Sequence, residues 1–257
     1  MPDTFKYLVY DIESVTDKAL LNQVLYPGDG LSDQAAFERH LAELAAEGRD
    51  FINPAFHVPI SLAAVAVAQD FSISKIGLLG GEQRTPDAIV RDFWNIYNTQ
   101  QAVLVDFHGK GFDLRLLELW SYRLGIKIHS RHFEKFGTRY RFSEDNHIDL
   151  HEFMSNNGAI RWRGGLNLFA KLIGKPGKME TKGEMVQELF DAGEQFKIDD
   201  YCLCDTMDTY FVFLRTRVMR GELTLEQEKA LTEEARGQME TKQGEGDYFK
   251  NYLNLLA

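Results

Sequence analysis

The stretch YLVYDIESVT, residues 7–16, begins as an apolar run and ends with two acids separated by one isoleucine. The apolar run predicts a buried β-strand. Because alternate side chains of a strand share a face, Asp11 and Glu13 project together from its carboxyl end, while Ile12 turns into the core. Neighbouring carboxylates repel unless a cation lies between them, and hard oxygen ligands suit Mg²⁺ and Mn²⁺. The pattern fits a metal site and also a solvated strand edge.

The composition is typical of one globular domain: 257 residues, 44% hydrophobic and 26% charged. No run approaches the roughly 18 apolar residues of a membrane span, and the first residues lack the basic and apolar regions of a signal peptide. We therefore expect a cytoplasmic protein with no membrane partner. Cys202 and Cys204 diverge on a predicted helix, which favours buried free thiols over a disulfide or zinc site.

The charge is unevenly distributed along the chain. The net charge of −10 argues superficially against a nucleic-acid partner, but residues 108–182 carry 14 Lys and Arg against 8 Asp and Glu, a local +6 that leaves −16 elsewhere. Basic and aromatic residues alternate in RHFEKFGTRYRF (131–142) and RWRGGLNLFAKLIGKPGK (161–178). Such mixing suits a single strand, whose phosphates attract cations and whose bases stack on rings. A solvated basic face over an aromatic core is the other interpretation.

The predicted elements indicate an α/β protein with a mixed sheet and helices packed on it. Predicted strands cover residues 6–12, 60–69, 72–80 and 101–107, with a short strand or strand-to-helix step at 146–154. Predicted helices cover residues 31–48, 85–99, 111–125, 165–173, 182–192 and 195–220. Ser32 and Thr85 are the expected N-caps of the first two helices, and Gly48 is the expected stop of the first.

Two further stretches carry acids that sequence patterns place at element ends. After the fourth strand, a glycine-rich turn leads to Phe112 and Asp113 at a helix start, where an acid is also favoured simply by the helix dipole. Tyr201 and Asp205 lie four residues apart, and hence on one face of a late helix. A buried tyrosine beside a surface acid is the alternative interpretation of that pair.

Taken together, the three motifs resemble those of the DEDD 3′ to 5′ exonucleases, the DnaQ-like branch of the ribonuclease-H-like fold, over residues 5–216. Four stretches are similar to one subgroup, the predicted exonucleases related to the proofreading domain of B-family DNA polymerases. They are AFHVPISLAAVAV (55–67), HIDLHEF (147–153), LIGKPGK (172–178) and YCLCDTMDTYFVFLR (201–215). The resemblance implies a ribonuclease-H-like mixed sheet flanked by helices. We expect it in residues 1–220, with a helical insertion at about 31–48 and a helical tail, 221–257, docked on the same domain.

The resemblance also implies a site that removes nucleotides from the 3′ end of single-stranded nucleic acid with two Mg²⁺ or Mn²⁺ ions. Asp11 would bridge both ions, and Tyr201 would orient the attacking water. The tyrosine subclass is expected because Asp200 occupies the position of the competing subclass's histidine. The expected metal ligands are Asp11, Glu13, Asp113 and Asp205. The expected substrate contacts are Ile12, His108, Lys110 and Phe112.

Several alternatives stay open. His108 replaces the Asn usual in polymerase-related members, and it is either a substrate contact or a structural histidine. Lys175, Lys178 and Lys182 lie on a loop that is either near phosphates or solvated. DNA is the expected substrate, with proteins of DNA replication or repair as candidate partners. An exoribonuclease, or a non-catalytic nucleic-acid-binding module, are the alternatives; the module would be marked by a lost carboxylate, and none is lost.

Overall fold

A five-stranded mixed sheet forms the centre of the protein in a computed structural model, which describes residues 5–179, 185–242 and 247–256. The strand order is β3-β2-β1-β4-β5. Strands β1, β2 and β3 pair antiparallel, whereas β4 runs parallel to β1 and β5 parallel to β4. The strands are β1 Tyr7–Thr16, β2 His57–Val67, β3 Ile73–Leu78, β4 Val103–Asp106 and β5 His147–Asp149. This arrangement confirms the predicted mixed sheet.

Helices cover both faces of the sheet. Those described are α1 Lys18–Leu25, α2 Asp33–Ala46, α3 Pro86–Gln100, α4 Asp113–Leu124, α5 Leu150–Ser155, α6 Gly165–Leu172, α7 Val186–Asp191, α8 Gln195–Met219, α9 Leu225–Lys242 and α10 Asp247–Leu255. Ser32 and Thr85 cap α2 and α3 through their side chains, as predicted. Helix α1 is an addition to the prediction, and the Asp17 carboxylate caps it. Lys182 and the predicted start of its helix lie outside the described residues.

Strand β1 is buried on both faces, which explains its continuous apolar run. Tyr7 and Val9 pack in the core beneath α8, whereas Leu8, Tyr10 and Ile12 pack in the core beneath α3 and α4. The strict alternation of a strand therefore decides which helices each side chain meets. Continued along the strand, the same alternation turns positions 11 and 13 toward α8.

Helix α8 is buried along nearly its whole length against β1 and β2. Cys202 and Cys204 are buried free thiols, as predicted. The Cys202 thiol donates to the backbone carbonyl of Asp11 across 3.3 Å. This contact ties the middle of α8 to the carboxyl end of β1.

The turn between β4 and α4 is held by two buried acids. Asp106 accepts from the backbone N–H of Gly109 at 3.0 Å and contacts the His147 imidazole at 2.6 Å. A β-carbon at Gly109 would lie 2.0 Å from an Asp106 carboxylate oxygen, so glycine is required there by close approach. Asp149 accepts from the backbone N–H groups of His108 and Lys110 at 2.9 and 3.1 Å. The turn is thus fixed from both sides.

The last two helices pack on α8. Glu228 of α9 accepts a bidentate pair of bonds from Arg215, the shorter 2.8 Å long. The Tyr252 hydroxyl of α10 donates to Asp208 at 2.7 Å, and both groups are buried. Burial raises the pKa of Asp208 from 3.8 to about 7, although the bond from Tyr252 acts in the opposite direction. Within the described ranges, no helix combines the length and apolarity needed to cross a membrane.

Asp208 makes the folded protein less stable as the pH rises. Because its pKa is higher in the folded chain, the folded state binds more protons between about pH 4 and 7, and the free energy of unfolding falls as the pH rises through that window. We expect Asp208→Asn to remove part of this fall, on the order of a few kcal/mol. Urea denaturation in EDTA gives the free energy of unfolding at about pH 5 and at about pH 8. The difference between the two values is then compared between Asp208→Asn and wild type.

Glu82→Gln, at an exposed acid, is the matched control and should keep the wild-type pH dependence. If the free energy of unfolding differs between the two pH values by as much in Asp208→Asn as in wild type, Asp208 is ionised at little cost in the folded protein.

Candidate active site

Three carboxylates converge where the end of β1 meets α8. Asp11, Glu13 and Asp205 each offer an oxygen, and these atoms all lie within 4.8 Å of one another. The first two extend the α8-facing side of β1, and a bulge in the β1–β2 pairing follows immediately after Glu13. Asp205 is buried on α8, three residues after the thiol that contacts Asp11. The predicted same-face projection of the two strand acids therefore leads to a third acid on α8.

Burial and mutual repulsion oppose the ionisation of these acids. Burial raises the pKa of Asp11 and Glu13 well above their usual range, and the charge of Asp205 raises both further. Burial also raises the pKa of Asp205, while Lys178 and a hydrogen bond from the Tyr201 hydroxyl lower it. Ionisation of the cluster therefore requires a compensating positive charge, which a bound cation would supply.

Lys178 supplies the cation that the structure places beside the cluster. Its ammonium lies 3.6 Å from an Asp205 oxygen and 5.3 Å from the centroid of the Tyr201 ring. Burial alone would lower the pKa of Lys178, but Asp205, Glu13 and Asp11 together raise it above its ordinary value. The backbone N–H of Lys178 donates to Asn167 of α6 at 2.9 Å, which fixes the base of the side chain. The ammonium therefore partly compensates the buried carboxylates.

Asp113 and Tyr201 complete the set of predicted catalytic residues around the same cleft. Asp113 is buried in the first turn of α4, and burial followed by the charges of Asp11 and Asp106 raises its pKa well above the usual range. Its carboxylate stands outside the 4.8 Å trio. Tyr201 lies one helical turn before Asp205, with its ring packed against Val15. All five predicted catalytic side chains thus line one cavity.

The cavity has a volume of about 590 Å³ and one aromatic wall. Phe51 stacks on His57 with ring centroids 6.0 Å apart, and meets Phe112 edge-on at 5.4 Å. His57 lies 3.0 Å from the Ser14 hydroxyl, and burial lowers its pKa, so the ring is neutral at physiological pH. Ile52, next along the chain, is buried in a small core with α1 and α2. The segment before β2 therefore adds aromatic rings to the lining of the cavity that holds the acids.

The predicted substrate contacts divide into two groups. Ile12, His108 and Phe112 border the cleft. His108 has a backbone φ of 74°, a left-handed conformation in which Asn and His are enriched, and this explains the types of residue found there. The Lys110 ammonium instead donates to the backbone carbonyl of Arg141 at 2.7 Å and lies outside the cleft lining. The geometry does not support the predicted substrate contact at Lys110, and Lys178 is the lysine in the cleft.

The donor set suits a hard divalent cation. Carboxylate oxygens are the ligands that Mg²⁺ and Mn²⁺ prefer. Asp11, Glu13 and Asp205 present such oxygens close enough to share an ion, and Asp113 lines the same cavity. The raised pKa values of the four acids indicate carboxylates that the ammonium of Lys178, the one cation beside them within the described residues, does not fully compensate. The residues present therefore fit the predicted metal site.

Comparison with known proteins places this geometry in a family. Residues 49–256 match the family described as predicted 3′–5′ exonucleases related to the exonuclease domain of PolB. The chain belongs to this family. The matched part includes Asp113, Tyr201 and Asp205, whereas Asp11 and Glu13 precede it. Membership confirms the family predicted from the sequence motifs and supports a nuclease activity.

The fold is shared with a polymerase. A structure of the family B DNA polymerase from the hyperthermophilic archaeon Pyrobaculum calidifontis is similar, with a TM-score of 0.52 and 14% sequence identity. The similarity covers 83% of this chain and 24% of the polymerase, so the chain spans about a quarter of that protein. No curated protein sequence matches this family member. The shared architecture confirms the predicted ribonuclease-H-like mixed sheet flanked by helices.

The carboxylate cluster predicts stabilisation by divalent cations. A cation that binds the folded chain and not the unfolded chain raises stability by mass action, by about 2.7 kcal/mol at a concentration 100 times its dissociation constant. We expect Mn²⁺ or Mg²⁺ to raise the melting temperature, and Asp11→Asn to abolish most of the rise. Differential scanning fluorimetry with a metal titration after EDTA treatment measures it.

Asp50→Asn is the matched control, because Asp50 lines the same cavity but is not one of the clustered acids. It should keep the wild-type metal response. An equal metal-induced rise in Asp11→Asn and wild type would place cation binding elsewhere on the chain.

Proposed function

We propose that this protein is a metal-dependent 3′ to 5′ exonuclease that hydrolyses phosphodiester bonds at the 3′ end of single-stranded nucleic acid, with DNA as the preferred substrate. The observation that carries the proposal is the convergence of Asp11, Glu13 and Asp205 within 4.8 Å in a cleft that Tyr201 also lines. Family membership supports the exonuclease activity. The aromatic wall supports a nucleic-acid end as the occupant of the cleft.

The acids have a common role as ligands. Asp11, Glu13 and Asp205 would hold one Mg²⁺ or Mn²⁺ ion, with Asp11 shared toward a second ion that Asp113 supports. When bound, such ions lower the pKa of water and offset the charge that develops on the phosphoryl oxygens. The chain's task is to keep the four carboxylates correctly spaced, while bound cations would favour their ionised forms. The β1–α8 contact and the fixed turn before α4 serve that task.

Tyr201 and Lys178 act on the reacting groups rather than as ligands. Tyr201 lies one helical turn before Asp205 and lines the same cleft, and from there its hydroxyl can orient a water molecule toward the scissile phosphate. Lys178 lies beside the same carboxylate, and its ammonium can move from Asp205 to the negatively charged phosphate once cations occupy the acids. This assignment belongs to the tyrosine subclass of the DEDD exonucleases.

The aromatic wall defines how the end of a strand would be received. Phe112 and Phe51 present apolar rings on which a base can stack, and His108 borders the cleft where it can contact the same nucleotide. Stacking on rings does not depend on base identity, because every base has an aromatic face. We therefore propose hydrolysis with little sequence preference. Proteins of DNA replication or repair are the proposed partners, and a cytoplasmic location stays a prediction.

The proposal predicts a defined loss of activity in two variants. Purified protein with Mg²⁺ or Mn²⁺ should shorten a 5′-labelled single strand stepwise from its 3′ end, as followed on a denaturing gel. EDTA and Asp11→Ala should each reduce hydrolysis to background, because the ligands no longer hold a cation. Tyr201→Phe should lower kcat by roughly tenfold to a hundredfold, because the attacking water loses its orientation.

Asp50→Asn again serves as the control and should retain wild-type activity. Hydrolysis that survives Asp11→Ala, or internal cleavage of a strand whose 3′ end is blocked, would contradict the assignment. A matched RNA oligonucleotide in the same assay separates the deoxyribonuclease from the exoribonuclease alternative. Binding without hydrolysis of either strand would favour the non-catalytic module.

A further inference from the structure

Large aromatic side chains are exposed on a segment outside the catalytic cleft. In residues 131–142, Phe133, Phe136 and Phe142 expose 56%, 59% and 67% of their surface. Groups of exposed apolar side chains on one surface often mark an interaction site. The three rings lie on a single loop between α4 and β5, so the fold itself presents them together.

Each of these rings is paired with a cation from the same segment. The pairs and their distances from charged group to ring centroid are Arg139 over Phe133 at 5.7 Å, Lys135 over Phe136 at 5.2 Å and Arg141 over Phe142 at 5.8 Å. The segment also contains Arg131, and its only acid is Glu134. An exposed ring with a cation beside it offers a stacking face and a phosphate ligand at one place.

The exposure is not the result of a loose loop, because buried anchors hold the segment. The buried His132 imidazole lies 2.6 Å from Glu118 of α4, and the Thr138 hydroxyl lies 2.6 Å from the Tyr97 hydroxyl of α3. At Gly137, a β-carbon would lie 1.8 Å from the Arg131 carbonyl oxygen. The polar anchors point inward and the rings outward, although apolar rings would ordinarily be the groups to bury.

The segment is joined to the catalytic cleft through the turn before α4. The Lys110 ammonium of that turn donates to the Arg141 carbonyl at 2.7 Å, and His108 of the same turn borders the cleft. A groove of about 220 Å³ runs between Lys110, Phe142 and the α5 region. A strand that leaves the clustered acids past His108 would cross this turn and this groove, which also carries Glu144, Asp149 and Glu152, before it meets the exposed rings.

We propose that residues 131–142 form an aromatic-basic track that binds single-stranded nucleic acid on the 5′ side of the nucleotide held in the cleft. The proposal rests on the proposed exonuclease function. Charge complementarity favours this occupant, because the track presents Lys135, Arg139 and Arg141 at its surface. Arg139 and Arg141 form ion pairs with Glu118 and Glu152, but both guanidinium side chains are about half exposed, so a phosphate can compete for them. A second copy of this acidic chain would also meet the cations, but only a nucleic acid supplies flat bases and phosphates in regular alternation.

Substrate length distinguishes the track from the catalytic cleft. A tetranucleotide occupies mainly the cleft, whereas a strand of about 20 nucleotides also reaches the track. In the double variant Phe133→Ala/Phe142→Ala, we expect KM for the long strand to rise by roughly fivefold to 150-fold, with kcat unchanged. Kinetics on the tetranucleotide should stay at the wild-type values. Lys135→Gln, which removes an exposed charge without creating a cavity, should reduce the slope of log affinity against log salt by about 0.7.

The matched control is Phe196→Ala. Phe196 exposes 49% of its surface and has Lys197 over its ring at 5.7 Å, but it lies on α8 outside both the track and the cleft lining. It should leave both substrates unaffected. Equal rises in KM on both lengths would overturn the track in favour of a structural role. An unchanged KM of the double variant on the long strand would also overturn the track. The exonuclease assignment would still hold in that case if wild type hydrolyses the strand.

Binding in EDTA keeps the two proposals separate. Fluorescence anisotropy of a labelled strand of about 20 nucleotides should show weaker binding by the double variant even when no hydrolysis takes place. If wild type hydrolyses neither substrate but shows this length-dependent binding, the track stands and the exonuclease function fails. If the double variant changes the oligomeric mass of the protein and leaves strand affinity unchanged, the segment is a protein contact and the track is overturned.

Discussion

Repulsion among three clustered carboxylates at the β1–α8 contact, two half-buried and one buried, is the constraint on which this structure depends. Asp11, Glu13 and Asp205 present oxygens within 4.8 Å of one another in surroundings that strongly disfavour their charged forms. Such a cluster persists only where the rest of the fold holds it together. The apolar halves of β1 and α8 supply this restraint, because the hydrophobic core beneath them buries far more surface than the cluster does. Stability in the core is therefore what permits a destabilising site at its edge.

The second support of the site is a set of polar groups that lie outside the cleft lining. The Asp106 and Asp149 carboxylates accept hydrogen bonds from backbone N–H groups of the turn before α4, and the His147 imidazole contacts Asp106. Hydrogen bonds to buried carboxylates are among the stronger ones in proteins, so this turn has little freedom to move. Asp113 begins its helix immediately after the turn. The position of Asp113, the fourth acid, therefore depends on side chains of β4 and β5.

How far the sequence predicts this arrangement depends on whether a feature is local or tertiary. Alternation along β1 predicts that Asp11 and Glu13 share a face, and helical spacing predicts that Tyr201 and Asp205 share one, because both rules need only neighbouring residues. Caps such as Ser32 are equally local, and the structure has them where the sequence predicts them. Helix α1 is capped by Asp17 and buries only Leu21, so its short pattern carries little periodic signal.

The contacts of loop side chains depend on tertiary structure, so the sequence predicts them less well. Lys110 sits inside the second motif, yet its ammonium turns to the Arg141 carbonyl, whereas Lys178 enters the cleft from a glycine-rich loop. A long flexible side chain goes wherever tertiary contacts offer it carbonyls or carboxylates, and sequence spacing does not contain those contacts. The aromatic wall has the same origin, since Phe51 and Phe112 meet across 61 residues of chain.

The acidic cleft and the basic residues 108–182 have complementary roles in the proposed function. A cleft lined by five acids, Asp50 and the four proposed ligands, repels a phosphate backbone, and the repulsion weakens when cations occupy the acids. Attraction of a strand must therefore come from elsewhere on an acidic chain, and residues 108–182 hold the local excess of +6. Under the proposed function, separating the basic surface from the acids lets each keep the environment it needs: the acids stay clustered in the cleft, while Lys135, Arg139 and Arg141 stay exposed beside their rings. A negative net charge and a nucleic-acid substrate are consequently compatible in one domain, because binding depends on the local potential along the path of the strand and not on the sum over the chain.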